Sequence, residues 1–587
     1  MPTPTATDER GLRVNGLVIG TRGGRPVVRG VDLAVLPGQL VALVGESGSG
    51  KTTTALACLG YARPGLRIEA GAVTVRGVDV LALSDGGRRA LRGRAVAYVP
   101  QDPGAALNPS YRVRDHLREA LRASSGTATA DELLARVRLP ADPDFLARYP
   151  HQLSGGQQQR VAIAMALAGG ADAIILDEPT TGLDTITKSA LISEVRRLCD
   201  EGIAAILVTH DLASVSGVAD RIAVMYAGSL VEEGPAADVL GRPRHPYTAA
   251  LIAAVPDVHA DTLPLGLDGE PPADGTEGCA FADRCDRAEA ACRATVPAFT
   301  ASSDHGVRCI RPLGADGAGI ELPLRPTPVP ATATPVLEAV GIRAEHGDRV
   351  VVHDGSLAIH PGECLAMVGE SGSGKTTFAR CLVGLHVPVA GVVRLDGREL
   401  PAAAKRRSRA DRAAIQVVFQ NPNLALNPRI TVADAIGRPL RLLHGEGAAE
   451  TERQVADLLE QVRLPQRLAD RLPFELSGGE RQRAAIACAL AARPRILICD
   501  EVTSSLDVSV QAVVIDLLAE LRTTLDLSML FVTHDLGVVR ALADRVVVLK
   551  DGGIREEGPV RRVLDDPADD YTRLLVDATP RLRTGAS

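Results

Sequence analysis

The 587 residues, 45% hydrophobic and 23% charged, suffice for about three to five domains with sizeable cores. A net charge of −7 argues against a protein held on nucleic acid by phosphate neutralisation. No apolar run reads as a membrane span, since those near Ile174 and Ile206 are short and bounded by polar residues. MPTPTATDER at the N-terminus lacks the features of a secretory signal, so a cytosolic location is expected.

Residues 1–10 read as a disordered N-terminus. The apolar run Val41-Ala42-Leu43-Val44 then leads into Gly45-Glu46-Ser47-Gly48-Ser49-Gly50-Lys51-Thr52-Thr53, and a helix-compatible segment follows. Strand, glycine-rich loop and helix together form a phosphate cradle. Backbone N–H groups and the helix N-terminus face the anion, Lys51 reaches the β- and γ-phosphates, and Thr52 holds Mg²⁺. Gly369-Glu370-Ser371-Gly372-Ser373-Gly374-Lys375-Thr376-Thr377 repeats all nine letters after Leu365-Ala366-Met367-Val368, with Lys375 and Thr376 in the same roles. Only five lysines occur in the chain, and two of them stand in these loops.

Further along, Leu153 to Arg160 reads LSGGQQQR and Leu476 to Arg483 reads LSGGERQR. A Ser-Gly-Gly turn opening a helix offers a hydroxyl, backbone amides and the helix dipole to an anion. The strand-like runs Ala173–Leu176 and Ile496–Cys499 end in Asp177-Glu178 and Asp500-Glu501. In each pair the first acid is expected on Mg²⁺ and the second on the attacking water. Ala204–Thr209 and Ile222–Tyr226 continue the strand pattern, matched by Met529–Thr533 and Val546–Leu549. Alternation with helical segments predicts a parallel sheet with helices on both faces, present twice.

The expected organisation is a first unit at 11–256, a cysteine-containing region at 257–311, a Pro/Ala-rich linker at 312–335, a second unit at 336–578 and a tail at 579–587. Six of the ten cysteines are scattered among apolar neighbours and read as small core residues; Cys279, Cys285, Cys292 and Cys309 cluster. His305 reads as a solvated loop residue.

The LSGG segments, read with both loops and both acid pairs, resemble the signature motifs of ATP-binding cassette (ABC) ATPases. The resemblance implies two tandem P-loop NTPase cassettes of RecA-like α/β fold with α-helical subdomains, plus a small cysteine-containing extension after the first. It implies Gln101 and Gln420 as Q-loop residues that contact Mg²⁺, and Thr181-Gly182-Leu183-Asp184 and Ser504-Ser505-Leu506-Asp507 as D-loops. It implies His210 and His534 as switch histidines facing the γ-phosphate. It also implies head-to-tail closure around two ATP molecules. Lys51 then faces Ser477, Gly478, Gly479 and Glu480, while Lys375 faces Ser154, Gly155, Gly156 and Gln157. Glu178, His210, Glu501 and His534 are the catalytic set; Thr52, Gln101, Asp177, Thr376, Gln420 and Asp500 are the Mg²⁺ set. Two departures stand out: no aromatic residue occurs in Thr21–Pro26 or Glu345–Arg349, where many cassettes stack adenine, leaving Arg25 or His346 for that role, and Val502 replaces a common proline.

Three marks narrow the family. They are the Asn-Pro elements at Asn108-Pro109 and Asn427-Pro428, Tyr149-Pro150-His151-Gln152 before the first signature, and His245-Pro246-Tyr247-Thr248 after the first cassette, echoed by Asp570-Tyr571-Thr572. Together they are similar to ATPases of oligopeptide, dipeptide and nickel importers, with two partner chains fused. The implied partners are two transmembrane permeases and an extracytoplasmic binding protein, and the implied location is peripheral, on the cytoplasmic face of the cell membrane. The cysteine region resembles the C-terminal region of peptide-importer ATPases, some of which hold a [4Fe–4S] cluster. Cys279, Cys285, Cys292 and Cys309 are therefore candidate iron–sulfur ligands; zinc and free thiols stay open. The competing class is a soluble tandem cassette acting on ribosomes or nucleic acid. A long charged helical linker or inserted C-x2-C modules would mark it, and neither is present.

Overall fold

The computed structural model describes residues 11–123, 128–267, 269, 272, 277–302, 304–314, 320, 322–325, 334–504 and 506–582. The N-terminus expected to be disordered (1–10) lies outside these residues. So do 326–333 of the linker, 583–587 of the tail, and D-loop Ser505.

Each half is built on a five-residue strand whose every side chain is buried, Leu40–Val44 and Cys364–Val368. A strand apolar on both faces needs cover above and below and suits the middle of a parallel sheet. In the first half, Leu40–Val44 lies between Arg221–Tyr226 and Ala204–Thr209; Ala173–Asp177 and then Val96–Val99 follow, all in parallel. In the second half, Cys364–Val368 lies between Arg545–Lys550 and Ser528–Val532, with Ile496–Asp500 and Ile415–Val418 beyond, again in parallel. Val44, Asp177 and Thr209 thus emerge on one edge of the sheet, where an open α/β sheet binds its ligand. A four-stranded antiparallel sheet accompanies each parallel one. Apolar residues form one cluster on each face of each main sheet.

The cysteine-bearing region is more ordered than its composition suggests. Thr300–Ser302 and His305–Val307 add two antiparallel strands to the edge of the first sheet, with Val307 opposite Glu232. His305 is therefore not a solvated loop residue: its Nε2 lies 2.7 Å from Oε1 of the buried Glu232. Beyond the first cassette the chain crosses to the second. Val258 and Leu263 join the second half's core, and Arg325 donates to the carbonyls of Arg540 and Ala543 at 2.9 and 2.8 Å. Leu582, near the end of the chain, packs back against the first half's core. Each half therefore carries a piece of the other's terminal segment.

Candidate active site

The phosphate loops require their glycines for a steric reason. Gly45 has φ +147°, and a Cβ there would lie 2.2 Å from the Met225 carbonyl oxygen; at Gly369, φ is +152° and the Leu549 oxygen would be 2.1 Å away. Lys51 and Lys375, both buried, begin the helices Lys51–Ala57 and Lys375–Val383. Lys51 Nζ donates to the Gly45 and Glu46 carbonyls at 2.7 Å each, and Lys375 Nζ to those of Gly369 and Glu370 at 2.8 Å each. Burial lowers the pKa of both lysines, and nearby carboxylates, Glu178 and Glu501 foremost, oppose it. Ser49 Oγ and Ser373 Oγ are buried with no partner among the described residues. A buried hydroxyl beside an ammonium and a helix N-terminus fits an anionic ligand.

The acids close the floor of each site. Thr52 Oγ1 donates to Asp177 Oδ1, and Thr376 Oγ1 to Asp500 Oδ1, both at 3.0 Å. Burial raises the pKa of both aspartates, against these hydrogen bonds. Tyr98 adds a second donor to Asp177 at 2.8 Å; Val417 stands at the corresponding position of the second half. Glu178 (φ +46°) and Glu501 (φ +49°) take the left-handed backbone conformation that non-glycine residues adopt rarely. Such strain, of order 1–3 kcal/mol, concentrates at functional sites. Gln101 Nε2 donates to Glu178 and Gln420 Nε2 to Glu501, each at 2.8 Å. The glutamines expected at Mg²⁺ thus lie against the second acid. His210 Nδ1 is 3.4 Å from Glu178, and His534 Nδ1 is 3.9 Å from Glu501. Burial pushes these glutamates up, but the histidines and loop lysines outweigh it and hold both below the ordinary range.

Ser154 and Ser477 cap the signature helices Gly155–Leu167 and Gly478–Leu490, with Gln157 and Glu480 completing capping boxes. Gly156 and Gly479 allow close packing on the next helix. A Cβ on either would lie 2.3 Å from a methyl of Thr187 or Val510. The D-loop acids reach across the halves: Asp507 Oδ2 accepts the Ser47 amide at 3.3 Å and acts on Lys51, and Asp184 acts on Lys375. Thr185 Oγ1 donates to the His534 carbonyl at 2.7 Å.

Several residues were not foreseen. Tyr247 OH accepts the Glu46 amide at 2.9 Å, and Tyr571 OH accepts the Glu370 amide at 3.0 Å. The HPYT echo held that signal, because the two tyrosines keep the repeat period of the loops. Tyr98, Arg284 and Ser509 had none. For adenine, His346 Nε2 lies 3.2 Å from Thr377 Oγ1 with its ring 4.9 Å from that of His386, while Arg25 is exposed.

The four clustered cysteines feel one another electrostatically, and the Cys279 amide donates to the Cys292 carbonyl at 2.7 Å. Burial pushes the Cys309 thiol up to about 11. Among the described residues, however, no three ligating side chains form a group that could hold a metal. No iron–sulfur site is therefore assigned to Cys279, Cys285, Cys292 and Cys309.

The ABC transporter family model matches residues 28–181 and 352–504, and the model for the oligopeptide/dipeptide transporter C-terminal region matches 231–292 and 555–587. The chain is 38% identical over 603 residues to the oligopeptide transport ATP-binding protein OppD of Mycobacterium tuberculosis, covering 97% of this chain and 98% of that one. It is 36% identical over 569 residues to the glutathione import ATP-binding protein GsiA of Escherichia coli, covering 94% and 86%. The chain belongs to the ABC transporter ATPases, with two cassettes in one polypeptide. Among the described residues no helix is long and apolar enough to cross a membrane.

Proposed function

We propose that this chain is the ATP-hydrolysing, energy-coupling subunit of an importer of di- or oligopeptides. It works with two permease subunits and an extracytoplasmic substrate-binding protein, held peripherally on the cytoplasmic face of the membrane. The observation that carries the reading is a complete set of phosphate loop, Thr–Asp pair, glutamate and histidine in each half, followed in each by a tail tyrosine bound to its own loop.

The first site comprises Gly45 to Thr53, Gln101, Asp177, Glu178 and His210, closed by Ser477–Glu480 and Asp507. The second comprises Gly369 to Thr377, Gln420, Asp500, Glu501 and His534, closed by Ser154–Gln157 and Asp184. Lys51 and Lys375 exchange carbonyl partners for phosphate oxygens. Thr52 with Asp177, and Thr376 with Asp500, would supply hard oxygen ligands of the kind Mg²⁺ prefers. Bound there, the ion neutralises charge on the transferring phosphoryl group. Glu178 and Glu501, ionised at neutral pH, orient water for attack, and His210 and His534 steady the carboxylate and face the γ-phosphate.

The test is reconstitution of the complete transporter in vesicles with its binding protein. ATP hydrolysis stimulated by di- or oligopeptides is expected. Stimulation by glutathione or nickel alone would redirect the substrate. Association with ribosomes, without any permease, would overturn the reading.

A further inference from the structure

We propose that Arg284 is a positioning residue for the first ATP site alone. Through Glu46 it ties the cysteine-bearing extension and the second cassette to one phosphate loop, and so makes the two sites unequal.

Glu46 is buried within its loop, at 5% exposure. Arg284, from the extension, grips its carboxylate with both terminal nitrogens, at 2.7 and 2.9 Å, and its own side chain is 6% exposed. The guanidinium is itself fixed by the Tyr226 hydroxyl at 3.2 Å and the Leu267 carbonyl at 3.3 Å. A second residue reaches the same carboxylate from the other cassette: Ser509 Oγ donates to Glu46 Oε1 at 2.6 Å. Ser509 lies two residues past Asp507, whose second oxygen takes the neighbouring Ser47 amide. The Glu46 backbone serves the site directly, since its carbonyl holds Lys51 Nζ and its amide is held by Tyr247. One residue thus joins the extension, the opposite cassette and the phosphate-binding lysine.

The second site lacks this arrangement. Glu370 keeps the lysine and tyrosine contacts through its backbone, but among the described residues no arginine pairs with its carboxylate. Ile186 stands where Ser509 stands, and the contact across the halves is instead that of Thr185 with the His534 carbonyl. A buried bidentate pair that loses one member leaves an uncompensated charge, so such a pair strongly fixes geometry. The first loop is thereby held in its phosphate-ready form before nucleotide arrives, and binding there needs less ordering.

The proposal rests on the assignment of the two ATP sites, and its test separates the two. In full-length protein carrying Glu178→Gln and Glu501→Gln, equilibrium binding of labelled Mg·ATP is measured with one loop disabled at a time. With Lys375→Ala, only the first site remains, and Arg284→Gln should weaken binding about tenfold. With Lys51→Ala, only the second remains, and Arg284→Gln should leave its affinity unchanged. Arg284→Lys should recover part of the loss. Ser509→Ala removes one hydroxyl with little risk to folding and should weaken the first site only. Equal weakening of both sites, or of neither, overturns the proposal. Failure of the Glu178→Gln/Glu501→Gln protein to bind ATP at all removes instead the site assignment beneath it.

Discussion

Tyr247 and Glu46 stand 201 residues apart and meet at 2.9 Å, hydroxyl to backbone amide, and Tyr571 and Glu370 repeat the contact at 3.0 Å over the same separation. The tail of each cassette therefore reaches back to hold the first turn of its own phosphate loop. His245 makes this possible by capping the Pro246–Ala253 helix with Nδ1, 3.0 Å from the Tyr247 amide; Asp569 does the same for the helix carrying Tyr571. Tyr247→Phe keeps the ring but strands a buried N–H, a loss of about 1–3 kcal/mol. Lower stability of the first half in denaturant titration and weaker ATP binding at that loop are expected. Tyr571→Phe should do the same to the second loop. Unchanged affinity in both variants would leave the tyrosines a packing role only.

Glu178→Gln and Glu501→Gln remove the charge proposed to activate water while keeping size and shape. The combined variant should lose hydrolysis by about 10²–10⁴-fold, the usual weight of a general base. It should still bind ATP, because the lysines, loop amides and Thr–Asp pairs are untouched. Phosphate release and nucleotide retention measured on the same sample decide this; wild-type turnover in the double variant would remove both glutamates from the mechanism.

Under that proposal the histidines set the pH range of the base. Burial alone would raise Glu178 and Glu501, and His210 and His534 lead the groups that hold them down. Removing the histidine leaves burial less opposed, so the carboxylate takes up its proton at higher pH. The acid limb of residual kcat should therefore move toward neutrality in His210→Ala/His534→Ala, and away from its wild-type position below the ordinary glutamate value near 4.5. A lower kcat with an unmoved acid limb would show that the histidines act on phosphate alone.

The sequence was most legible where chemistry is local. A glycine loop between a buried strand and a helix has few other uses, and Asp177-Glu178 and Asp500-Glu501 sit at strand ends because ligands of an open sheet gather there. Gln101 and His210 were singled out by order and spacing within a known motif set, and both lie against Glu178. What stayed hidden depends on distant contacts. Nothing around Arg284 distinguishes it from the chain's other arginines until the extension folds against the first loop. The strands Thr300–Ser302 and His305–Val307 were obscured because a short edge pairing needs little apolar alternation when its partner is already a sheet. Four cysteines are the conspicuous feature of this region, whereas its contact with the first phosphate loop is made by an arginine.

His245 links this architecture to acid stability. It is buried at 1% exposure beneath the Tyr247 and Phe281 rings, and burial pushes its pKa down to about 4 from an ordinary 6.5. The Glu232 carboxylate, which accepts the His245 amide at 2.8 Å, opposes that shift, as does a hydrogen bond to the Arg308 backbone. The unfolded chain protonates this histidine as pH falls through 6.5, while the folded chain does not until about 4. Across that window the unfolded state binds more protons, so stability is full above it and declines on acidification, by up to about 3 kcal/mol. Denaturant midpoints of the first half at pH 7 and pH 5 measure the effect. His245→Asn keeps a short side chain able to cap the helix but cannot titrate. Its midpoint should fall less between the two pH values than that of the parent. Equal falls in both proteins would place the acid sensitivity in other groups.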